Sequence, residues 1–269
     1  MTHTPTVVVA GHLCLDLTPQ FPPDTPTDMG KLFIPGKLIN MGSMTIATGG
    51  PVSNTGIALS ILGIDTALMA KIGQDFVGKG VLEQFSRHHV TSYLQEVPGA
   101  DTSYTVALVP KGMDRIFLHC TGANDTFDSG DLDYDLIAQA DLFHFGYPPL
   151  MRQMYVDNGK ELVAIFKRVK ESGVTTSLDL SLPDPNSESG KADWQRILEK
   201  VLPYVDLFLP SIEESSFMVD RQLYQSLRSS ATTTDMLEHL DINDLPRISE
   251  RFLKMGAKIV VVKCGVKGF

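Results

Sequence analysis

Short apolar runs alternate with helix-length amphipathic segments along most of this chain, and that alternation narrows the fold more than any other feature. The runs 6–10, 66–72, 141–145, 174–180, 206–209 and 258–263 suit strands buried on both faces. Between them, helical spacing of apolar residues marks 55–62, 76–89, 154–172, 194–201, 212–219 and 245–255, with Gly173 and Gly256 as stops. Strand–helix alternation of this kind implies a parallel sheet covered by helices on both faces. The expected fold class is α/β, a three-layer sandwich around a mostly parallel central sheet.

Two stretches break the rhythm. The segment 13–48 is rich in Pro, Asp and Thr and carries short alternating pieces such as 37–41, and 103–109 and 115–120 also alternate. These predict half-exposed strands of a separate small sheet. Segments of about 13–48 and 92–121 are therefore expected to form a lid beside the carboxyl ends of the parallel strands, where ligands bind in such sheets. The polar stretch 222–244, with Thr232-Thr233-Thr234, reads as a surface insertion or loop.

Within this frame several residues can carry chemistry. In Gly49-Gly50-Pro51-Val52-Ser53-Asn54 the glycines let the backbone approach a bound molecule. Pro51 stiffens the turn, and Ser53 or Asn54 can cap the helix expected from residue 55. Asn54 offers a donor pair and an acceptor to hydroxyls, although a capped turn accounts for the same residues. Asp16 is either a carboxylate that accepts two hydroxyl hydrogen bonds or an edge charge. Arg115 follows Asp114 on an expected lid strand, and Asn124 in Gly122-Ala123-Asn124 is a ligand contact or a turn residue. Asp179 ends an apolar strand. Glu214, one turn into a short helix, can hold Mg²⁺ through water or complement the helix N-terminus. Gly265 and Gly268 follow the last strand and would let phosphates approach the backbone.

Other patterns carry less. Gly73-Gln74-Asp75-Phe76-Val77-Gly78-Lys79-Gly80 nearly spells a phosphate-binding loop, but Gly80 has no hydroxyl for Mg²⁺ and Asp75 adds a negative charge. It reads as a strand-to-helix turn with a solvated Lys79. His88-His89 face different ways on a helix, and His12, His119 and His144 read as satisfied structural histidines. A net charge of −9 argues against nucleic acid and anionic membrane as partners. Cys14, Cys120 and Cys264 are too far apart for a metal knuckle or a disulfide framework, and free buried thiols suit a reducing cytosol. Met1-Thr2-His3-Thr4-Pro5 lacks the basic start of a signal peptide, and no apolar run reaches a membrane span, so a cytoplasmic protein is expected.

In order and spacing these elements resemble the ribokinase-like (PfkB) carbohydrate kinase family over essentially the whole chain. The resemblance rests on Gly49-Gly50-Pro51-Val52-Ser53-Asn54 with Ala58-Leu59-Ser60-Ile61-Leu62-Gly63, and on Ile72-Gly73-Gln74-Asp75-Phe76-Val77-Gly78. It continues in Gly122-Ala123-Asn124, in Asp179 with Trp194, and in Lys263-Cys264-Gly265-Val266-Lys267-Gly268. It implies transfer of the γ-phosphoryl group of ATP, with Mg²⁺, to a hydroxyl of a small sugar. It implies substrate contacts from Asp16, Gly49, Gly50, Asn54, Arg115, Asn124 and Asp179. Lys263, Gly265 and Gly268 would lie on the nucleotide side, Glu214 at the metal, and a homodimer would pair through the lid.

The chain departs from the family pattern in three places. Ser211 and Ser181 stand where asparagine is usual in N-x-x-E and D-x-N. The D-T-x-G-A-G-D element, which supplies the anion hole and the aspartate base, does not occur. That base is expected beyond Phe269, so residues 1–269 are expected to form a ribokinase-like domain incomplete at its C-terminus. The alternative is a non-catalytic sugar-binding or interaction protein lacking that end. Pro51 after the glycine pair, in place of Gly-Lys, favours an unphosphorylated sugar over a sugar phosphate; a nucleoside or a sugar acid also fits.

Overall fold

The computed structural model describes residues 4–26, 28–88, 90–112, 115–230, 237 and 240–269. From β1 (Val7–Gly11) the chain passes into β2 (Cys14–Pro19), a single helical turn α1 (Met29–Leu32) and β3 (Met44–Gly49). It then forms α2 (Pro51–Ile61), β4 (Thr66–Gly73), α3 (Phe76–Arg87) and β5 (Thr91–Val97), followed by β6 (Tyr104–Leu108) and β7 (Ile116–Cys120). Next come α4 (Tyr134–Ile137), β8 (Leu142–Gly146), α5 (Lys160–Glu171) and β9 (Thr175–Asp179). The last elements are α6 (Glu188–Lys191), α7 (Trp194–Val201), β10 (Leu207–Phe208), α8 (Ile212–Val219), α9 (Arg221–Ser230), α10 (Asp244–Lys254) and β11 (Ile259–Val260).

Seven strands build the large sheet in the order β11-β10-β9-β8-β1-β4-β5, and every neighbouring pair is parallel. Alternate residues of each strand feed opposite cores. Val8, Ala10, Phe143, Phe145, Leu178 and Phe208 pack under α5, α7, α8 and α10, whereas Val7, Val9, Leu68 and Ala70 meet Val52 of α2 and Val81 and Phe85 of α3. The expected three-layer α/β architecture is present.

The smaller sheet has the order β3-β2-β6-β7, with β2 parallel to β6 and the outer pairs antiparallel. The chain enters it just after β1, leaves at Gly49, re-enters after β5 and leaves again at Cys120. Its register puts Ala47, Asp16, Thr105 and His119 in one row on one face. Ile46, Leu17, Val106 and Leu118 form the next row, on the other face.

Several boundaries differ from the sequence reading. Thr91–Val97, which overlaps the start of the expected lid segment, is the edge strand of the large sheet, and the small sheet resumes only at Tyr104. Residues 37–41 form no strand despite their alternation. α2 begins at Pro51, four residues early, because proline suits the first helical position, so Ser53 and Asn54 are helix residues and neither caps it. α5 begins only at Lys160: Asp157, Asn158 and Gly159 are left-handed in succession, which stops the helical pattern read from residue 154. Within the expected loop 222–244, α9 occupies residues up to Ser230, and Thr232-Thr233-Thr234 lies outside the described residues, as do His89 and Asp114.

The start of β10 is locked to β9 by a buried carboxylate. Asp206 accepts from the Lys170 ammonium, from Lys258 Nζ at 2.6 Å and from the Thr176 N–H at 2.9 Å. Burial opposes its ionisation, but the bonds from Lys170, Lys258 and Thr176 outweigh it and hold the carboxyl well below the usual carboxylate range. A lowered carboxyl pKa stabilises the fold above its unfolded value and stops doing so as pH falls. Asp206→Asn is expected to cost about 2–4 kcal/mol in urea unfolding at pH 7, because two ammonium groups lose their partner. The gap between wild type and variant should narrow below pH 4.

Candidate functional site

The carboxyl ends of β1, β8 and β9 form a single row in which Gly11 pairs with Gly146 and Gly146 with Asp179. There is no room for a side chain at either glycine. A methyl on Gly11 would lie 2.5 Å from the Gly146 carbonyl oxygen, and one on Gly146 would lie 2.4 Å from the Pro51 ring. The next residues, His12 and Tyr147, come out side by side with ring centroids 6.1 Å apart.

The first excursion into the small sheet returns over His12. Gly50 is left-handed (φ +86°), and a methyl there would meet the His12 carbonyl oxygen at 2.5 Å. Gly49 lies under Asp16, whose Oδ2 would be 2.2 Å from a methyl at that position. Gly49 therefore leaves bare backbone under the Asp16 carboxylate, while Gly50 packs on His12. Asp16 accepts from the Cys14 thiol at 3.2 Å, and along the same row Thr105 Oγ1 and His119 Nδ1 are 3.0 Å apart. The His119 Nε2 in turn reaches His12 Nε2 at 3.4 Å, which joins the small sheet to the floor.

Both histidines are neutral near pH 7. Burial, and then the neighbouring His119, lowers His12 to about 3, and burial lowers His119 against the pull of Asp16 and Asp125. His144 is lowered to about 4 by burial and Lys263. The expectation of satisfied structural histidines holds only in part. His12 Nδ1 and His144 Nε2 are buried without a partner, although His144 Nδ1 meets Ser177 Oγ at 2.9 Å.

A second cluster stands at the ends of β9, β10 and β11. Lys263 Nζ bonds Asp179 Oδ1 at 2.5 Å, and the Lys263 main chain accepts from Ile212 N–H at 3.0 Å, tying β11 to the start of α8. Glu214 closes a capping box: its carboxylate accepts from Ser211 N–H at 2.6 Å, and Ser211 Oγ accepts from Glu214 N–H at 3.2 Å. Burial pushes the Glu214 carboxyl up to about 7 against the opposing Lys263 charge, and burial likewise raises Asp179. Among the described residues no group of three acidic, His or Cys side chains is placed to hold a metal ion. Gly265 and Gly268 are both left-handed and form a tight turn in which Cys264 N–H donates to Gly268 O at 2.7 Å.

The remaining candidates separate. Asn54 is exposed on α2 and lines a shallow groove of about 260 Å³ with Thr48, Ser53 and Ile57. Arg115 lies over the Phe117 ring at 5.6 Å, four residues and so about 13 Å of strand beyond His119. Asn124 makes no outward contact. It is fully buried, its amide donates to Leu13 O at 3.0 Å, and its oxygen accepts from Leu13 N–H at 3.4 Å. These bonds make it a clamp between the exit of β7 and the entry of β2. The near phosphate loop is indeed a turn. Asp75 caps α3 by accepting from Gly78 N–H at 2.7 Å, it accepts from Thr102 N–H at 2.8 Å, and Lys79 is exposed. Cys120 is half-buried, while Cys14 and Cys264 are buried, and all three are free.

Sequence reasoning missed Tyr147 and Thr105 and gave His119 no role. The register of β7 against β6 was the missing information, since sequence alone does not say which residue of a short strand faces Asp16.

A family model described as pfkB family carbohydrate kinase matches residues 7–269. The chain is 29% identical over 213 residues to an uncharacterized sugar kinase of Archaeoglobus fulgidus, covering 79% of this chain and 71% of that protein. It is 26% identical over 226 residues to a ribokinase of Staphylococcus aureus, covering 82% of this chain but only 62% of the relative. The structure of an Arabidopsis thaliana ribokinase complexed with ribose and ATP superposes with a TM-score of 0.67 at 17% identity, covering 97% of this chain and 72% of that one. A ribokinase from Giardia lamblia gives 0.69 at 17% identity, covering 98% and 70%. At these identities the structural likeness shows the fold.

Two substitutions separate the glycines. Gly50→Ala meets backbone at a left-handed position and is expected to lower stability by about 2 kcal/mol. Gly49→Ala meets only the mobile end of Asp16 and should leave the melting temperature nearly unchanged; thermal unfolding of both variants checks the contrast. At Glu214 the raised carboxyl contributes stability below its usual 4.5, and that contribution is lost as pH rises through about 7. Glu214→Gln should remove that loss. Measured by chemical unfolding at pH 5 and pH 8, wild type should fall relative to the variant by on the order of 2 kcal/mol.

Proposed function

Because the chain belongs to the pfkB family of carbohydrate kinases, we propose that the protein transfers the γ-phosphoryl group of ATP to a hydroxyl of a small, uncharged sugar. The observation that carries this reading is the Asp16 carboxylate held against Gly49, beside the left-handed Gly50 that returns the chain over His12 at the end of β1. A carboxylate so placed accepts hydrogen bonds from two hydroxyls, and bare backbone beneath it lets a sugar ring come close. Asp16, Asp125, Asp179 and Glu214 make the surroundings acidic, which disfavours a phosphorylated or acidic acceptor. Asn54 is assigned to the acceptor side, and Arg115 to the outer end of the small sheet, which serves as a lid.

Lys263, Gly265 and Gly268 are assigned to the nucleotide side. Glu214 fits a Mg²⁺ ion held through water, since Mg²⁺ keeps most of its waters and takes its other ligands from phosphates. When bound, that ion neutralises phosphate charge. The chain's own residues orient the acceptor hydroxyl and exclude water, and no residue of 1–269 is assigned as the base. The sugar-kinase relatives favour this reading over a non-catalytic sugar binder. No helix among the described residues is long and apolar enough to cross a membrane, and we assign the protein to the cytoplasm with neither nucleic acid nor membrane as partner. A homodimer through the small sheet is supported by the exposed Met44, Ile46 and Leu118.

The test is ATP consumption by the intact protein with a panel of pentoses, hexoses and their phosphates. An uncharged sugar should stimulate turnover. Asp16→Asn should lower kcat/KM for that sugar about 100-fold with nucleotide affinity unchanged, since charge-assisted bonds are each worth about 1.5–3 kcal/mol. Absence of sugar-dependent turnover across the panel would overturn the reading.

A further inference from the structure

Tyr147 ends β8 in a conformation that tyrosine rarely adopts. Its backbone is left-handed (φ 61°, ψ 44°), and Pro148 follows at once. Hydrogen bonds on both sides hold it there: Tyr147 N–H donates to Asp179 O at 3.2 Å, and its carbonyl accepts from Leu150 N–H at 3.0 Å. Pro148 and Pro149 behind it are buried. Non-glycine residues persist in such conformations where the surroundings over-determine them, and they concentrate at ligand sites.

The turn sets the ring beside His12, between the two halves of the site. Its phenol lies within electrostatic reach of the Asp179, Glu214 and Asp16 carboxyls. Burial above all, and then these acidic neighbours, push the phenol up to about 12, so the hydroxyl keeps its proton throughout the working range. Tyr147 is half-buried and its hydroxyl makes no hydrogen bond among the described residues. A neutral donor surrounded by carboxylates complements a hydroxyl that accepts from it while donating to Asp16.

We propose that Tyr147 is an acceptor-binding residue, its phenol donating a hydrogen bond to a sugar hydroxyl held between Asp16 and the Asp179–Lys263 pair. The inference rests on the kinase reading and adds to it a determinant of acceptor affinity. The left-handed turn between Gly146 and Pro148 places the ring 6.1 Å from that of His12.

The experiment is equilibrium binding of D-ribose, D-fructose and ATP, each measured by calorimetry on the intact wild-type protein and on Tyr147→Phe. Phenylalanine keeps the ring and its packing on His12, so a structural role alone would leave every affinity unchanged. The expected result is about a tenfold weaker Kd for the sugar that wild type binds, with the ATP Kd and the melting temperature unchanged. Equal sugar affinity in the two proteins overturns this inference and leaves the kinase reading standing. Failure of the wild type to bind either sugar, together with no turnover across the wider panel, overturns both.

Discussion

The site depends on the absence of side chains where the two sheets meet. Gly11, Gly146, Gly49 and Gly50 lie at positions where a single methyl would come within 2.5 Å of a neighbouring atom. At Gly11 and Gly50 the neighbour is main chain, which cannot give way. With the chain packed so closely there, His12 and Tyr147 emerge side by side and the Asp16 carboxylate lies against Gly49. The row Asp16–Thr105–His119, the meeting of His119 with His12, and the left-handed turn at Tyr147 all border that junction.

Electrostatics divide the site into two parts. On the small-sheet side the histidines are neutral, and Asp16 has hydroxyl and thiol groups for company. On the side of β9 and β11, Lys263 is bonded to Asp179 and acts through space on Glu214, and burial raises both acids. The first environment suits uncharged hydroxyls, and the second can respond to the arrival of phosphate charge. Phosphoryl transfer asks for that division, since it needs one group oriented and another neutralised.

The large sheet was legible in the sequence because its strands are buried on both faces and its helices are amphipathic; 66–72 and 194–201 needed almost no adjustment. The failures have local causes. Proline at a first helical position moved α2 forward over Ser53 and Asn54. Three left-handed residues before Lys160 interrupted a pattern that remained periodic in sequence. Alternation at 37–41 found no partner strand. Of the candidate site, the closeness of Asp16 to the glycine pair was legible in outline as residues read for one purpose. The inward turn of both Asn124 polar groups to the Leu13 main chain was not, because sequence does not say which way a side chain faces, and Tyr147 was invisible because what marks it is a backbone angle.

The Asn124–Leu13 clamp has a mechanical consequence. It pins the strand leaving the small sheet to the strand entering it, within a few ångströms of the Gly49–Gly50 return, so all the covalent connections near the site cross one narrow seam. A sheet attached along a seam behaves as a lever. Rotation by about 10° there would carry the Pro19 end of β2, some 17 Å away, through about 3 Å, and Asp16, about 7 Å away, through about 1 Å. A displacement at the rim would thus reach the carboxylate at less than half its size.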